Sequence, residues 1–275
     1  MSANTGFQHV NEWSGLRGFT NLFRKENRAW WSTRRWWINA LLWPLILGGL
    51  VANMMFVPSL INLASSEEIA EAGGVIAYAI MMGLSGFFEF GTQLVALGAV
   101  VLCQDALIDE KQSGITEWLL SKPVTRRAYI LAKLLTHMAY TTLFLTVIPA
   151  TVAYGLFSLR TGEPFPLLPF LAGAGMMGLN ILFYVSLTIM LGTWFNSRAP
   201  IVAVTLGLLF GGSFIGGLIK PLLYVTPWLL PQLASGIASQ LPLPINMVWP
   251  PVVATVVWIL IFIAVTLVKF EKTEF

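Results

Sequence analysis

The chain has 275 residues, of which 56% are apolar and 11% charged, with a mean hydropathy of +0.75. An average soluble domain carries roughly 25% charged residues, so the composition excludes an ordinary soluble globule and equally a disordered chain. The single cysteine, Cys103, permits neither an intrachain disulfide nor a multi-cysteine metal site, and His9 and His137 are too far apart in sequence to suggest a metal pair. The class expected is an all-α polytopic membrane protein.

The first 35 residues are polar, with two acids and six bases, and lack the basic, apolar and small-residue regions of a signal peptide. Within them Leu16, Phe19, Leu22, Phe23 and Trp30 recur at helical spacing, while Arg17, Arg24, Lys25 and Arg28 lie off that stripe. A basic amphipathic helix of this kind suits a membrane surface. Leu16, Phe19 and Phe23 are its expected anchors, and Trp30, Trp31, Trp36 and Trp37 follow at indole depth. Residues 1–35 thus read as a cytoplasmic or interfacial elbow, either a plain anchor or a mechanical element beside a moving span.

A bilayer core needs about 20 apolar residues per helix. Six stretches meet that length, at 36–57, 75–103, 129–158, 167–194, 200–219 and 247–268. The second, third and fourth exceed it, which predicts tilt, kinks or helical extensions. Pro44 and Pro149 are the kink candidates. With six spans, 14 of the 16 basic residues fall on one side and only Arg160 and Lys220 on the other. That asymmetry places both termini in the cytosol. Residues 36–275 form one six-helix transmembrane domain in this reading.

In the second span, Glu89 is the one acid well inside a predicted helix. It is a pathway candidate, or the acceptor of a structural hydrogen bond. Gly83, Gly86, Gly91 and Gly98 offer surfaces for close helix packing. Phe87, Phe88 and Phe90 read as lipid or core contacts, and the scattered methionines as flexible packing rather than copper ligands.

The stretch 104–128 is the most informative. It reads QDALIDEKQSGITEWLLSKPVTRRA. Asp105, Asp109 and Glu110 leave the second span. Ser113 is placed to cap a short helix with apolar residues Ile115, Trp118, Leu119 and Leu120. Pro123 ends it, and Thr125 caps the third span. Such a helix is either a docking knob or a simple connector. Near the end of the chain, 220–246 is apolar but carries Pro221, Pro227, Pro231, Pro242 and Pro244, so it cannot form one continuous span. No GxxxxGK[ST], HExxH or GxSxG occurs, and no haem or zinc spacing.

The run Glu110–x3–Gly114–x2–Glu117–x–Leu119–Leu120–x2–Pro123–x2–Arg126, with Tyr129 and Lys133 beyond it, resembles the signature of type-2 ABC transporter permeases. The close match covers about 104–135, and the six spans and elbow extend it loosely over the chain. Ile115 stands between the glycine and Thr116, and Ala132 stands where a glycine often precedes the lysine. The resemblance implies a bacterial-type inner-membrane permease subunit of an exporter, pairing with a second copy or a paralogue. It implies a separate cytoplasmic ATPase that holds ATP and Mg, this chain binding no cofactor. It further implies a coupling helix formed by the signature residues, Trp118 among them, and a re-entrant segment on the outer side before the last span. Lipid surrounds such a chain and no nucleic acid partner is expected. Two other readings stand beside it: a membrane-embedded enzyme acting on a lipid or isoprenoid through Glu89 or the loop acids, and a secondary carrier, for which no internal repeat is evident.

Overall fold

The computed structural model describes residues 15–58 and 64–272, without the side chains at 213 and 217. The N-terminal stretch 1–14 of the expected elbow, with His9, lies outside the described residues. Among the described residues the regular structure is helical throughout, and six helices are long and apolar enough to cross a membrane. Helix α1 (Phe19–Trp31) leads into the first span, α2 (Arg35–Phe56). A short α3 (Ser66–Glu71), closed by a Ser65–Glu68 capping box, precedes the second span, α4 (Val75–Gln112). The short α5 (Ile115–Leu120) joins it to the third, α6 (Arg126–Thr161). Spans four and five are α7 (Leu167–Trp194) and α8 (Arg198–Leu218). The proline-rich stretch breaks into α9 (Lys220–Tyr224), a 3-10 turn at Pro227–Leu229 and α10 (Leu230–Ala238) before the last span, α11 (Ile245–Glu271).

Helices α4 and α6 have 38 and 36 residues. At about 1.5 Å per residue each is over 50 Å long, against a hydrocarbon core of roughly 30 Å. The excess falls at their charged ends. The second span takes the helical extension that its length predicted, and the helix carries Asp105, Asp109 and Glu110 onward to Gln112.

Both long helices contain a π turn. Gly91 N–H bonds the Gly86 carbonyl around Gly86–Phe90, and Ile148 N–H bonds the Leu143 carbonyl around Leu143–Val147. The second lies just ahead of Pro149, whose ring clashes with the carbonyl four residues back in a regular α-helix. Widening the turn relieves that clash. The glycines of α4 face α2: a Cβ at Gly83, Gly86, Gly91 or Gly98 would meet Met55, Met54, Leu47 or Trp43 respectively. This is the close packing their spacing suggested. Phe87 and Phe88 sit in the core beside Phe170, and Phe90 is exposed where lipid would lie.

The central helix is α7, packed on α4, α6, α10 and α11. Its Asn180 is buried at mid-length and donates to the Pro227 carbonyl at 3.1 Å. A Cβ at Gly173 would stand 2.8 Å from the Ala234 carbonyl, so α10 lies hard against α7.

Candidate coupling site at the charged end of the bundle

Gly114 turns the chain from α4 into α5. Its φ of +70° lies in the left-handed region, where a Cβ is strained, so the glycine of the signature is a backbone requirement. Ser113 is not the cap expected for α5: its hydroxyl donates at 2.7 Å back to the Asp109 carbonyl, at the end of α4. Beyond α5, Val124 N–H bonds the Lys122 carbonyl at 2.7 Å, a three-residue turn centred on Pro123. Thr125 does cap α6, its hydroxyl accepting from Ala128 N–H at 3.2 Å. The same residue staples the loop to the start of the elbow: Thr125 N–H bonds the Arg17 carbonyl at 3.1 Å and its hydroxyl the Gly15 carbonyl at 3.1 Å.

Behind α5 lies a buried charge network. The Lys133 side chain, 3% exposed, sits 3.1 Å from Glu110 Oε2 and 3.2 Å from Glu26 Oε1. Tyr129 donates its hydroxyl to Glu110 Oε2 at 2.7 Å and lies 3.4 Å from the Thr116 hydroxyl of α5. Lys25 closes the cluster, 2.6 Å from Glu110 and 3.3 Å from Glu26. Partial burial of the Lys25 ammonium works to lower its pKa. The hydrogen bond and charge of Glu110, with those of Glu26, outweigh this and raise it above its ordinary value. Charges held this way tie α1, α4 and α6 into one unit.

Further pairs fasten the other helix ends. Arg198 at the start of α8 lies 2.6 Å from Asp105 and donates to Asp109 at 2.6 Å. Lys111 donates to the Gly192 carbonyl at 2.8 Å, at the end of α7. Arg126 donates to the Glu271 carbonyl at 2.6 Å, and Arg127 pairs with the Glu271 carboxylate. A cation at a helix C-terminus also meets the negative end of its dipole. The starts of α2, α6 and α8 and the ends of α4, α7 and α11 thus share one end of the bundle, as an even span count requires.

The signature residues divide by direction. Glu110 and Arg126 face inward, and Gly114 and Pro123 shape the loop. Leu119 is buried in the chain's own core, with Leu120 packed partly against it. Leu119 is therefore not free to serve as an apolar anchor for another protein. What points away is Glu117, Ile115 and Trp118, the last 62% exposed with Lys122 Nζ 3.9 Å above its ring.

The elbow is likewise split. Leu16 lies in the turn before α1 and is exposed, whereas Phe19 and Phe23 are half-buried and stacked at 5.8 Å. The buried face is Leu22, Glu26 and Trp30. Trp30 stacks on Tyr140 of α6 at 4.9 Å. Glu26, Lys25 and the Arg198 pairs escaped the sequence reading. Glu26 had a visible signal: it falls four residues from both Leu22 and Trp30, an acid on the apolar stripe. Glu89 is half-buried in the π turn of α4 and accepts from the Ser85 hydroxyl at 2.6 Å, within its own helix. The crevice of about 300 Å³ between α2, α4 and α8 is lined by Gln93 and apolar residues, without Glu89. No cluster of three or more His, Cys, Asp or Glu fit to hold a metal occurs among the described residues.

Compared with known proteins, residues 20–275 match a family model described as an ABC-2 family transporter protein. No curated protein matches the chain.

Proposed function

The chain belongs to the ABC-2 transporter family and is a membrane permease of an ABC transporter; from that premise we propose that it couples export to ATP hydrolysis on a separate subunit docked against α5. The observation that carries the reading is the two-faced α5. Thr116 and Leu119 lock one face into the bundle, and Trp118, Ile115 and Glu117 stand out on the other. An exposed indole held on a rigid, charge-braced helix has the character of an interface hot spot, where truncation commonly costs about 2 kcal/mol or more. Displacement of α5 by the ATPase would pass through Thr116, Tyr129 and Glu110 to α1, α4 and α6 together. Glu110 and Arg126 then transmit motion rather than touch the partner.

In this reading the charged end faces the cytosol of an inner membrane, both termini lie there, and a second copy or a paralogue completes the pathway. The break at 220–238 re-enters the membrane from the opposite side. The mid-span bond from Asn180 to Pro227 supports this, because backbone at that depth needs protein partners. The test is co-purification of an ABC ATPase, captured first with the wild-type permease, with wild-type and Trp118→Ala permease, alongside transport. Association should fall about 30-fold, the factor that about 2 kcal/mol represents. Full association and full transport would remove α5 from the coupling role.

A further inference from the structure

A polar cavity of about 170 Å³ opens at the charged end of the bundle, where α1 turns into α2. Its floor is buried and includes Trp30 of α1, Ala106 of α4 and His137 of α6. Its mouth lies at Ala29, Arg35 and Asp109, which are exposed. Arg35 is the first residue of the span α2, and exposed Trp36 and Trp37 follow it at the depth where indoles sit. The mouth is therefore level with lipid head groups. The charges around the cavity are unevenly paired. Glu26 and Glu110 are answered by Lys133 and Lys25. Asp105 and Asp109 share a single cation, Arg198. Arg35 lines the same cavity and its charge acts on Asp105 and His137, yet its guanidinium makes no hydrogen bond or ion pair among the described residues. One surplus acid and one surplus base thus share the cavity. His137, 6% exposed, adds a third group. Its Nδ1 lies 2.8 Å from the Lys133 carbonyl, which can only accept, so Nδ1 carries the hydrogen. In the neutral ring Nε2 is then an acceptor, and it has no partner among the described residues.

An unpaired guanidinium, a surplus carboxylate and an unpartnered acceptor in one cavity are complementary to a zwitterion with an anion at one end and N–H donors at the other. We propose that this cavity holds a phosphoethanolamine group, the head of a membrane lipid, with its phosphate on Arg35 and its ammonium donating to Asp109 and His137 Nε2. The volume suits it, being that of about six waters. A choline head group has no N–H to donate, and a glycerol head group brings no cation, so neither satisfies both ends. The position of Arg35 at the start of a span selects a lipid over a free zwitterion, because the acyl chains then follow α2 into the bilayer. Bound there, the lipid joins α1, α2, α4 and α6. The site is separate from docking at α5 and is read on this chain alone.

The full chain in micelles is titrated with phosphatidylethanolamine, phosphatidylcholine and phosphatidylglycerol of identical acyl chains, and bound lipid is counted by native mass spectrometry. Phosphatidylethanolamine should bind about tenfold more tightly than either, the low end for one hydrogen bond to a charged group. Arg35→Gln should weaken all three lipids about tenfold, because each carries the phosphate. Asp109→Asn should erase the advantage of phosphatidylethanolamine over phosphatidylcholine and leave phosphatidylcholine itself unchanged. Both side chains are exposed, so these variants keep the buried core intact. His137→Phe keeps a ring and removes Nε2, and should narrow the same advantage. Equal binding of the three lipids by the wild-type chain would overturn the proposal. So would an equal loss from Arg28→Gln, an exposed base of α1 outside the cavity, since general surface charge would then explain the binding. Soluble glycerophosphoethanolamine competing as well as the lipid would overturn the lipid as the source of the zwitterion.

Discussion

Replacing Lys133 by Met tests the charge network directly. Its ammonium is 3% exposed and lies within 3.2 Å of two carboxylates. Removing one partner of a buried ion pair typically costs about 3–5 kcal/mol, because the charge left behind stays buried. Here Lys25 remains 2.6 Å from Glu110 and 3.3 Å from Glu26, so each carboxylate keeps one cation. The expected loss is therefore at the low end, about 3 kcal/mol. Lys25→Met removes a side chain that is 42% exposed. After solvent screening it should cost no more than about 1 kcal/mol. The two variants should thus differ by roughly 30-fold in their unfolding equilibria. Neutralising the three more buried members, with Glu26→Gln and Glu110→Gln added to Lys133→Met, should recover most of the loss, since uncharged replacements of a buried ion network are often neutral and the Lys25 side chain, 42% exposed, keeps its charge in water. Denaturant titration in micelles, followed by tryptophan fluorescence, measures all three. Protease protection near Arg24 reports whether α1 has come away. If Lys133→Met is no worse than Lys25→Met, or if the triple variant is worse than the single, the network does not brace the bundle as argued.

Because the Lys25 pKa is raised, its share of α1 docking is fully present below the ordinary value of 10.5 and lost as pH rises through its higher folded value. Raising the pH from neutral to about 9 should therefore leave the stability difference between wild type and Lys25→Met unchanged, as read by the same denaturant titration. Gly114→Val should destabilise by about 1–2 kcal/mol through left-handed strain alone, with Gly114→Asn milder, since no side chain crowds the position; thermal melts decide this. Asn180→Leu should cost about 1–3 kcal/mol by orphaning the Pro227 carbonyl, and an unchanged denaturation midpoint would show that this bond does not hold the Pro227–Leu229 turn against α7. For orientation, impermeant thiol reagent outside the cell should reach cysteines placed at Glu68 and Glu163, and not at Lys122, in a Cys103→Ser background. Reaction at Lys122 from outside would invert the topology.

Six spans, their boundaries to within a few residues except the end of the second, and the shared side of the basic residues were legible because lipid permits few solutions. A backbone that must satisfy itself within an apolar slab becomes a helix of roughly 20 residues, and that length is written locally. Thr125 as a cap and Gly83, Gly86, Gly91 and Gly98 as a packing face were equally local, each fixed by spacing along one helix. The direction of the signature residues was not. Leu119 and Trp118 are adjacent and both apolar, and only the position of α4 and α6 beside α5 decides that Leu119 goes inward and Trp118 outward. Ser113 had a cap's chemistry, but α4 ran on as far as Gln112 and its Asp109 carbonyl took the Ser113 hydroxyl. The pairing of Lys133 with Glu26 joins residues 107 positions apart, and that of Arg198 with Asp109 joins residues 89 apart. No spacing rule spans such separations, because an ion pair is set by where helix ends meet in space. The π turn at Leu143–Val147, a shift of one residue in hydrogen-bond register just ahead of Pro149, is likewise a feature of the folded helix that no spacing announced.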